Sequence, residues 1–408
     1  MHNQNVPAAG TTDVLIVGGG PAGLAAAIAL RQRGIDCTVV EARPAGIDKA
    51  CGEGLMPDSR DALAQLGISL TDADGHPFHG IRFANSAHRV DARFPSGAGI
   101  GVRRPHLHAL LTARAEQTGA RILWNSRIQL PELVPEPLDS SPACRTALVN
   151  GQPMHFRWLI GADGQSSTVR RWAGLDRARV RSVRFGFRTH YRVAPWSEFV
   201  EVHWARPVAA AEGRRGPRFG GQLYITPVAP DCVCVVYITR DPRRISANAR
   251  ASILADFPEV AARLAGAETV STQRGAVTAS CKLRDVATGF VALLGDASGS
   301  ADAITGEGLA ISFRQALALA GSIHLGSLEA YRRAHRQIGK LPFAMGELML
   351  TLDRWPGLQV RAIRALAATP IFFRDLLHAH MGEKNLAAVL LRRAPRFGWS
   401  FLTKGAPA

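Results

Sequence analysis

The clearest hydrophobic pattern in the chain lies near its start. Residues 14–30 read VLIVGGGPAGLAAAIAL and contain no charged side chain. Asp13–Val17 is short and β-branched, as a buried strand would be, and Ala22–Leu30 is rich in alanine, as a helix would be. Pro21 suits the first turn of that helix and Gly34 suits its end. A spanning helix needs about 20 apolar residues and tolerates glycine clusters poorly, so the pattern predicts strand, glycine turn and helix.

Alternating apolar and polar positions farther along the chain predict antiparallel strands. Asn150-Gly151 marks the turn of a hairpin, and Cys232 and Cys234 alternate within CVCVVYI, so they share a core face. Ala210–Gly221 is glycine-rich and basic, which predicts a mobile loop. After Gln315 the pattern becomes mostly helical. The three strand-like segments are FGFRTHYRV (Phe185–Val193), VEVHWA (Val200–Ala205) and GQLYITPV (Gly221–Val228).

These elements predict an α/β protein with an inserted antiparallel sheet. A Rossmann-type nucleotide-binding domain is expected in three pieces, 1–72, 101–178 and 276–330. We expect the strand-rich segments between them, 73–100 and 179–275, to form a substrate domain. Residues 331–408 form a helical C-terminal region.

Composition narrows the class of protein. Of 408 residues, 47% are hydrophobic and 20% are charged, which is typical of a globular protein with a core. The chain does not open on a signal-peptide pattern, and its six cysteines are scattered without a disulfide-like framework. We therefore expect a cytoplasmic protein with reduced thiols.

The net charge of +16 calls for an anionic partner or a solvated surface. Nucleic acid is not expected, because no basic run is interleaved with aromatic residues and no zinc-finger spacing occurs. An anionic cofactor, an acidic carrier and a membrane surface stay open. No metal site is expected either, because His106 and His108 lie two apart on a predicted helix and point in different directions.

The glycine spacing of the first motif carries the chemistry. In the spacing Gly18-x-Gly20-x-x-Gly23, the first glycine allows a tight turn and the second lets a phosphate approach the backbone. The third lets the helix pack closely against the strand. The free amides at the helix start, with the helix dipole, hold a pyrophosphate. A second strand, Cys37–Val40, leads directly into Glu41, which can accept hydrogen bonds from a ribose. The segment therefore predicts a dinucleotide site that also includes Pro21, Ala22, Ala42 and Arg43.

Two later segments decide which dinucleotide is bound. RWLIGADGQSSTVRRWAGL spans Arg157–Leu175, and GFVALLGDASGSADAITGEGLAISFRQALALA spans Gly289–Ala320. With the first motif, they resemble the FAD-dependent monooxygenases of the aromatic-hydroxylase type and the related geranylgeranyl reductases and flavin halogenases. The resemblance covers roughly residues 12–325 and implies FAD as the cofactor. A separate nicotinamide-binding domain is not indicated, and NADH or NADPH would bind transiently.

The resemblance also implies roles for particular residues. Asp163-Gly164 would lie beside the pyrophosphate and the route of NAD(P)H, and Asp296 would bind the ribityl chain. Amides of Gly308 and Leu309, after Gly306, would meet the pyrimidine edge of the flavin and stabilise negative charge on it. Arg104 matches a family arginine near the FAD phosphates, and Arg103 is a second candidate. A purely structural reading of each position, as a helix-capping aspartate or a glycine turn, stays open.

Several residues depart from the hydroxylase pattern. TGEG, Thr305–Gly308, and KACGEGL, Lys49–Leu55, look more like the geranylgeranyl-reductase branch, although that branch's YxWxFP signature is missing. The halogenase signature WxWxIP is also missing, so halogenation is not expected. The chain is most similar to bacterial FAD-dependent monooxygenases, some of which are found beside type III polyketide synthases. Cys51, followed by Gly52, either lies over the flavin or is a small residue suited to a tight glycine loop.

The function implied is a flavin hydroxylase. NAD(P)H would reduce FAD, oxygen would add at flavin C4a as a hydroperoxide, and an aromatic, phenolic or polyketide-derived ring would be hydroxylated. The alternative is a reductase that saturates carbon–carbon double bonds of a prenyl or polyketide chain, motivated by KACGEGL and TGEG. Candidate substrate-binding residues on the predicted strands are Arg188, His190, His203, Trp204 and Tyr224.

The C-terminal helices mix apolar residues with arginines from Leu350 onward. Two interpretations stay open: a basic amphipathic surface for lipid or a long-chain substrate, or a cap with its arginines outward. The partner expected is a small aromatic or lipidic molecule, with peripheral contact to the inner membrane allowed by the first interpretation. The choice between NADH and NADPH and the oligomeric state stay open.

Overall fold

Two large sheets and a C-terminal helical layer organise the chain. The computed structural model describes residues 10–131, 145–176, 178–205, 221–245 and 253–403. The predicted loop at 210–221 lies almost entirely outside the described residues, so it stays a prediction. The strands are β1 (Gly10–Val17), β2 (Cys37–Val40), β3 (Gly54–Leu55), β4 (His76–Phe78), β5 (Gly80–Ala84), β6 (Arg89–Arg93), β7 (Gly99–Gly101), β8 (Arg121–Leu123), β9 (Ile128–Gln129), β10 (Arg145–Val149), β11 (Gln152–Gly161), β12 (Ala178–Arg192), β13 (Val200–Trp204), β14 (Gln222–Ala229), β15 (Cys232–Thr239), β16 (Glu268–Thr269), β17 (Arg274–Leu283), β18 (Ala287–Thr288), β19 (Val291–Leu293) and β20 (Gly299–Ser300).

Most helices flank the first sheet or form the C-terminal layer, and α5 packs on the second sheet. They are α1 (Pro21–Arg31), α2 (Pro57–Gln65), α3 (Arg104–Gln117), α4 (Thr168–Trp172), α5 (Pro258–Arg263), α6 (Gly308–His324), α7 (Glu329–Arg354), α8 (Pro356–Ala368), α9 (Pro370–His380) and α10 (Leu386–Thr403). Within the described part of the chain, no helix combines the length and the apolar composition needed to cross a bilayer.

The first sheet has the parallel core expected of a nucleotide-binding domain. Its order is β18-β19-β11-β1-β2-β8, and β1 pairs in parallel with both β2 and β11. Helix α1 is almost wholly buried, because its alanines and leucines pack between this sheet and α6. The hairpin β10–β11 turns at Asn150 and Gly151, both with positive φ, as that dipeptide predicts. The predicted α/β fold with a helical C-terminus is confirmed.

The second sheet is mostly antiparallel, in the order β20-β17-β12-β15-β14-β13-β5-β6. Its two faces are packed differently. One face carries Phe187 and Tyr237 and is covered by the segment around α5. The other face, which we call the inner face, carries Trp204 and Tyr224 and meets α7, α8 and the loop before α6. Cys232 and Cys234 both belong to this inner face, as their alternation predicts.

The sheet pairing differs from the sequence boundaries at two places. β17 begins at Arg274 and pairs with β12 in the second sheet. The boundary predicted at residue 276 instead places most of β17 in the nucleotide-binding domain. β3 and β4 both pair with β7 in a small third sheet, so β5 and β6 are the strands of segment 73–100 that join the second sheet. Both differences arise because strand partners are chosen by long-range pairing, which local alternation does not report.

Candidate active site

The first glycine turn is built so tightly that two of its positions exclude a side chain. Gly18 has φ +113°, and a Cβ atom there would lie 2.4 Å from the carbonyl oxygen of Ala162. A Cβ at Gly23 would lie 1.9 Å from the Gly18 carbonyl oxygen. These approaches are the strand–helix contacts that the spacing predicts.

Gly20 is different, because it faces open space. A Cβ built there would meet no described atom within 4 Å, and its φ of −73° is accessible to any residue. It is the N-cap of α1, and Pro21 follows it at the start of the helix. The arrangement leaves room for a phosphate against the free amides at the helix start, so the turn fits a dinucleotide.

Glu41 lies beside this turn and is buried. Its Oε2 accepts a hydrogen bond from the Gly19 amide at 2.8 Å, and its Oε1 accepts one from the Arg43 amide at 2.9 Å. Oε1 also accepts from Arg43 Nε at 3.4 Å, whereas Oε2 retains a further lone pair. Ala42 and Arg43 are exposed at the same rim. The placement suits the predicted ribose contact.

The second motif packs against the first and has a structural role of its own. The Asp163 amide nitrogen lies 2.9 Å from where a Cβ of Gly18 would be. The Asp163 carboxylate accepts hydrogen bonds from the Ser167 hydroxyl at 2.5 Å and the Thr168 amide at 2.6 Å, and so holds the start of α4. Gly164 turns the chain with φ +80°. The capping interpretation therefore describes Asp163, and its contact with pyrophosphate or NAD(P)H stays a prediction.

The third motif completes the same region. Gly295 has φ +59°, and a Cβ there would lie 2.8 Å from Cβ of Ala22 in α1. Asp296 follows and is half-exposed, with Lys49 Nζ 3.1 Å from its Oδ2. The three motifs thus converge at the carboxyl ends of β1, β11 and β19, where open α/β sheets bind ligands.

The TGEG turn leads directly into α6. Gly306 has φ +69°, and Gly308 is the first residue of this 17-residue helix, with no described atom within 4 Å of a Cβ built there. The first backbone amides of α6 have no hydrogen-bond partner inside the helix. The amides of Gly308 and Leu309 therefore lie at an open helix start, and their contact with the flavin ring stays a prediction.

Arg103 and Arg104 stand at the start of α3. The Arg104 side chain is buried, and its main-chain amide donates to Glu53 Oε1 at 2.9 Å. In both arginines Nε is buried, and no hydrogen-bond partner for it occurs among the described residues. Because a buried guanidinium group needs acceptors, these orphaned donors fit an anionic group such as a phosphate.

The loop 48–54, which includes Cys51 and Gly52, is pinned to the second sheet by Glu53. Glu53 has φ +60°, which is uncommon for a residue other than glycine. Its Oε1 accepts from Arg188 Nη1 at 2.9 Å, and its Oε2 lies 2.6 Å from His190 Nε2. Arg188 also donates two hydrogen bonds to the Asp48 carboxylate. Burial raises the pKa of Asp48, but the interaction with Arg188 outweighs burial, so the pKa falls below its usual value and the Arg188–Asp48 pair stays charged.

Arg188 and His190 are therefore beneath this loop rather than at an open surface. Both are at most 1% exposed, and His190 Nδ1 also lies 2.7 Å from Ser271 Oγ. Cys51 is half-buried, and its Sγ accepts from the Glu53 amide at 3.4 Å. The two predicted pocket residues thus position the loop that carries Cys51.

Potential ligand atoms of Glu53, His190 and Cys234 lie within 4.8 Å of one another. The Arg188 guanidinium already pairs with Glu53, so its positive charge would repel a metal ion at this cluster. Burial also raises the pKa of the Cys234 thiol well above its usual range, which keeps it protonated. We therefore interpret the cluster as a hydrogen-bonded support for the loop.

A second buried network joins the inner face to the loop before α6. Arg184 is fully buried and pairs with Asp302, and its Nη1 donates to Gln222 Oε1 at 3.0 Å. The Tyr224 hydroxyl lies 3.3 Å from both Gln222 Oε1 and the Ile304 carbonyl oxygen. Burial raises the pKa of Tyr224 far above its usual range, so the hydroxyl remains a donor.

Trp204 lies directly opposite Gln222 in the β13–β14 pair. Both side chains are buried, and neither Trp204 Nε1 nor Gln222 Nε2 has a hydrogen-bond partner in the part of the chain that the structure describes. His203, the neighbouring candidate, points to the other face, where its Nε2 lies 2.8 Å from Glu201 Oε2. The inner face thus brings Trp204 and Tyr224 together and leaves His203 outside.

Sequence reasoning did not single out Glu53, Arg184, Gln222 or Asp302. Glu53 had a usable signal, because a charged residue between two glycines of a flavin-side loop needs a partner. Gln222 and Arg184 had no such signal, because the sequence does not distinguish a polar residue that joins a buried network from any other polar residue on a strand.

The comparison with known families decides the class. A family model described as an FAD binding domain matches residues 11–326. The chain belongs to this FAD-binding family. FAD is therefore its cofactor, and NADH or NADPH is the electron donor typical of the family. The resemblance carried by the three motifs is confirmed.

Its relatives include both reductases and monooxygenases. It is 33% identical to a menaquinone reductase of Mycobacterium tuberculosis over 46% of this chain and 47% of the relative. It is 25% identical to digeranylgeranylglycerophospholipid reductase 2 of Methanosphaera stadtmanae over 73% and 74%, and 30% identical to a rifampicin monooxygenase of Rhodococcus hoagii over 39% and 33%. The chain spans about half the length of the curated relatives it matches, as the first of these shows.

Solved structures share the fold. A flavoprotein/dehydrogenase from Cytophaga hutchinsonii matches with a TM-score of 0.74 at 16% identity, covering 94% of this chain and 96% of that one. A geranylgeranyl bacteriochlorophyll reductase-like protein from Thermoplasma acidophilum matches with a TM-score of 0.69 at 18% identity, covering 95% and 99%. At these identities the likeness concerns the fold.

Proposed function

We propose that this protein is an FAD-dependent monooxygenase that hydroxylates an oxygen-bearing aromatic substrate, such as a phenol, with NAD(P)H and O2. The observation that supports it is the pair of unpartnered buried donors, Gln222 Nε2 and Trp204 Nε1. They lie on the inner face, which is tied to the loop before α6 through Arg184 and Asp302.

A buried donor without an acceptor costs about 1–3 kcal/mol. A phenolic or carbonyl oxygen would accept from such donors and recover this free energy on binding. A polyprenyl hydrocarbon chain offers no acceptor. The donor pair therefore favours an oxygenated ring over a plain hydrocarbon.

The surrounding residues have distinct tasks. Ile304, Met349 and Ile363 form an apolar cluster with the inner face, which excludes water from the substrate side. Glu53 holds the loop that carries Cys51. The free amides at the start of α6, with the helix dipole, would stabilise negative charge on the reduced flavin. Bound FAD supplies the two-electron redox chemistry and the activation of O2.

The decisive experiment follows oxygen into the product. Purified holoenzyme is incubated with NADH or NADPH and a panel of phenolic and prenyl compounds, with and without 18O2, and products are read by mass spectrometry. We expect a phenolic product carrying one oxygen atom from O2. Substrate-stimulated oxidation of NAD(P)H that consumes no oxygen would overturn the proposal.

Gln222→Glu tests the recognition step within the same assay. The substitution keeps an oxygen facing Arg184 but removes the free NH2 donor. We expect KM for the phenolic substrate to rise about tenfold, with FAD content unchanged.

The second candidate is the reductase that saturates carbon–carbon double bonds. The loop geometry favours it, since Cys51 is half-buried at the loop that Glu53 positions on the flavin side, and two of the relatives above are named reductases. Anaerobic turnover that gives a product heavier by two hydrogen atoms would establish it and would exclude hydroxylation as the main activity.

A further inference from the structure

The last helix of the described chain presents an apolar face to solvent. On α10, Leu391, Trp399 and Leu402 are 80%, 72% and 78% exposed. With Pro395, which is also exposed, their spacing of four, four and three residues places them on one side of the helix. A helix that only capped the core would carry polar residues there.

The opposite side of α10 is already packed. Val389 and Ser400 are buried, and the Phe397 ring lies 4.9 Å from that of Phe372 on α9. The helix is thus held against the protein by one face while the apolar strip at 391, 395, 399 and 402 stays uncovered.

The charges beside this strip have one sign. Arg392 and Arg396 are exposed on its flank, while Arg393 is tied to Asp375 at 3.3 Å. No acidic residue follows Glu383 in the sequence. An apolar strip bordered by cations matches a surface that is apolar inside and anionic at its edge.

We propose that α10 docks this protein on an anionic lipid bilayer, lying in the plane of the interface with Leu391, Trp399 and Leu402 inserted. Tryptophan favours the headgroup level, and arginines gain from anionic headgroups. A second copy of the chain is a poorer occupant, because two copies of the strip would bring arginines together without acidic partners. The proposal concerns where the enzyme works, and it stands apart from which reaction the flavin site performs.

Vesicle flotation with the holoenzyme tests the proposal. We expect binding to vesicles of equal parts phosphatidylcholine and phosphatidylglycerol, weaker binding to phosphatidylcholine alone, and a decrease with added salt. Leu391→Glu should lower the partition coefficient at least about tenfold, because a charge replaces an inserted apolar side chain. The matched control is Leu325→Glu, since Leu325 is 75% exposed at the end of α6 and lies outside the strip.

A second measurement reports insertion directly. Brominated lipids should quench part of the tryptophan fluorescence of the wild type, and Trp399→Phe should remove that part. All variants should keep the wild-type FAD content and visible spectrum, which separates this test from the hydroxylation assay.

The proposal would be overturned if the wild-type protein did not bind vesicles that contain phosphatidylglycerol, or if Leu325→Glu and Leu391→Glu lost equal amounts of vesicle binding. It would also be overturned if Leu391→Glu left vesicle binding unchanged and light scattering showed that the substitution converts a dimer into a monomer.

Discussion

Glycines of one short motif perform two different tasks at the residue scale. Gly18 is required by the backbone itself, because its φ is positive and a Cβ would overlap the Ala162 carbonyl. Gly20 has an ordinary φ and open space in front of it. The fold therefore requires Gly18, and we predict that the bound cofactor requires Gly20.

Substitution by alanine should separate these tasks. Gly20→Ala should weaken FAD binding at least about tenfold while changing the unfolding free energy of the apoprotein by about 1 kcal/mol at most. Gly18→Ala should lower that unfolding free energy by about 2 kcal/mol or more, because of backbone strain and overlap. Flavin titration and chemical denaturation of the apoproteins measure the two effects. Equal loss of stability in both variants would contradict this assignment.

At the scale of elements, a histidine of α7 supports the third motif. His335 Nε2 lies 2.9 Å from Ser298 Oγ, which in turn donates to the Gly295 carbonyl. Burial, with the neighbouring Arg336, lowers the pKa of His335 to about 4. The helix therefore supports the turn around Asp296 with a neutral imidazole.

This contact predicts a loss of stability in acid. The pKa of His335 is 6.5 in an unfolded chain and about 4 in the folded protein, so the unfolded state takes up the proton first as the pH falls. The contribution is complete above about pH 6.5 and is lost progressively down to about pH 4. Denaturation across this window should show a shallower pH dependence in His335→Gln than in wild type. His324→Gln, which alters an exposed histidine, should follow wild type.

At the scale of the whole molecule, a buried ion pair joins the second sheet to the segment that leads into α6. Arg184 lies on β12 of the second sheet, and Asp302 lies in the segment that leads from the third motif to α6. Both side chains are fully buried, and the nearest additional carboxylate, that of Asp353, lies 3.9 Å from Arg184. The pair thereby fixes the position of the segment before α6 on the second sheet.

Removing the charge of Asp302 should loosen that arrangement. Asp302→Asn leaves Arg184 buried with a weakened partner, so we expect a loss of about 3 kcal/mol in unfolding free energy. The control is Glu268→Gln, because the Arg192–Glu268 pair is 61% and 65% exposed and should contribute less than about 1 kcal/mol. Chemical denaturation of both apoproteins measures these losses, and similar small losses would show that the buried pair does not hold the segment before α6 on the second sheet.

The sequence alone determined the elements whose chemistry is local. The glycine turn, its flanking strand and helix, and the order of the three motifs follow from the spacing of neighbouring residues, which covalent geometry restricts to few conformations. The tertiary structure decided which side chains meet. The alternation along β13 places His203 and Trp204 on opposite faces but does not say which of them lies on the inner face. Glu53 contacts His190, which is 137 positions away in the sequence. Such contacts depend on how sheets and loops pack over long distances, and no local pattern carries that information.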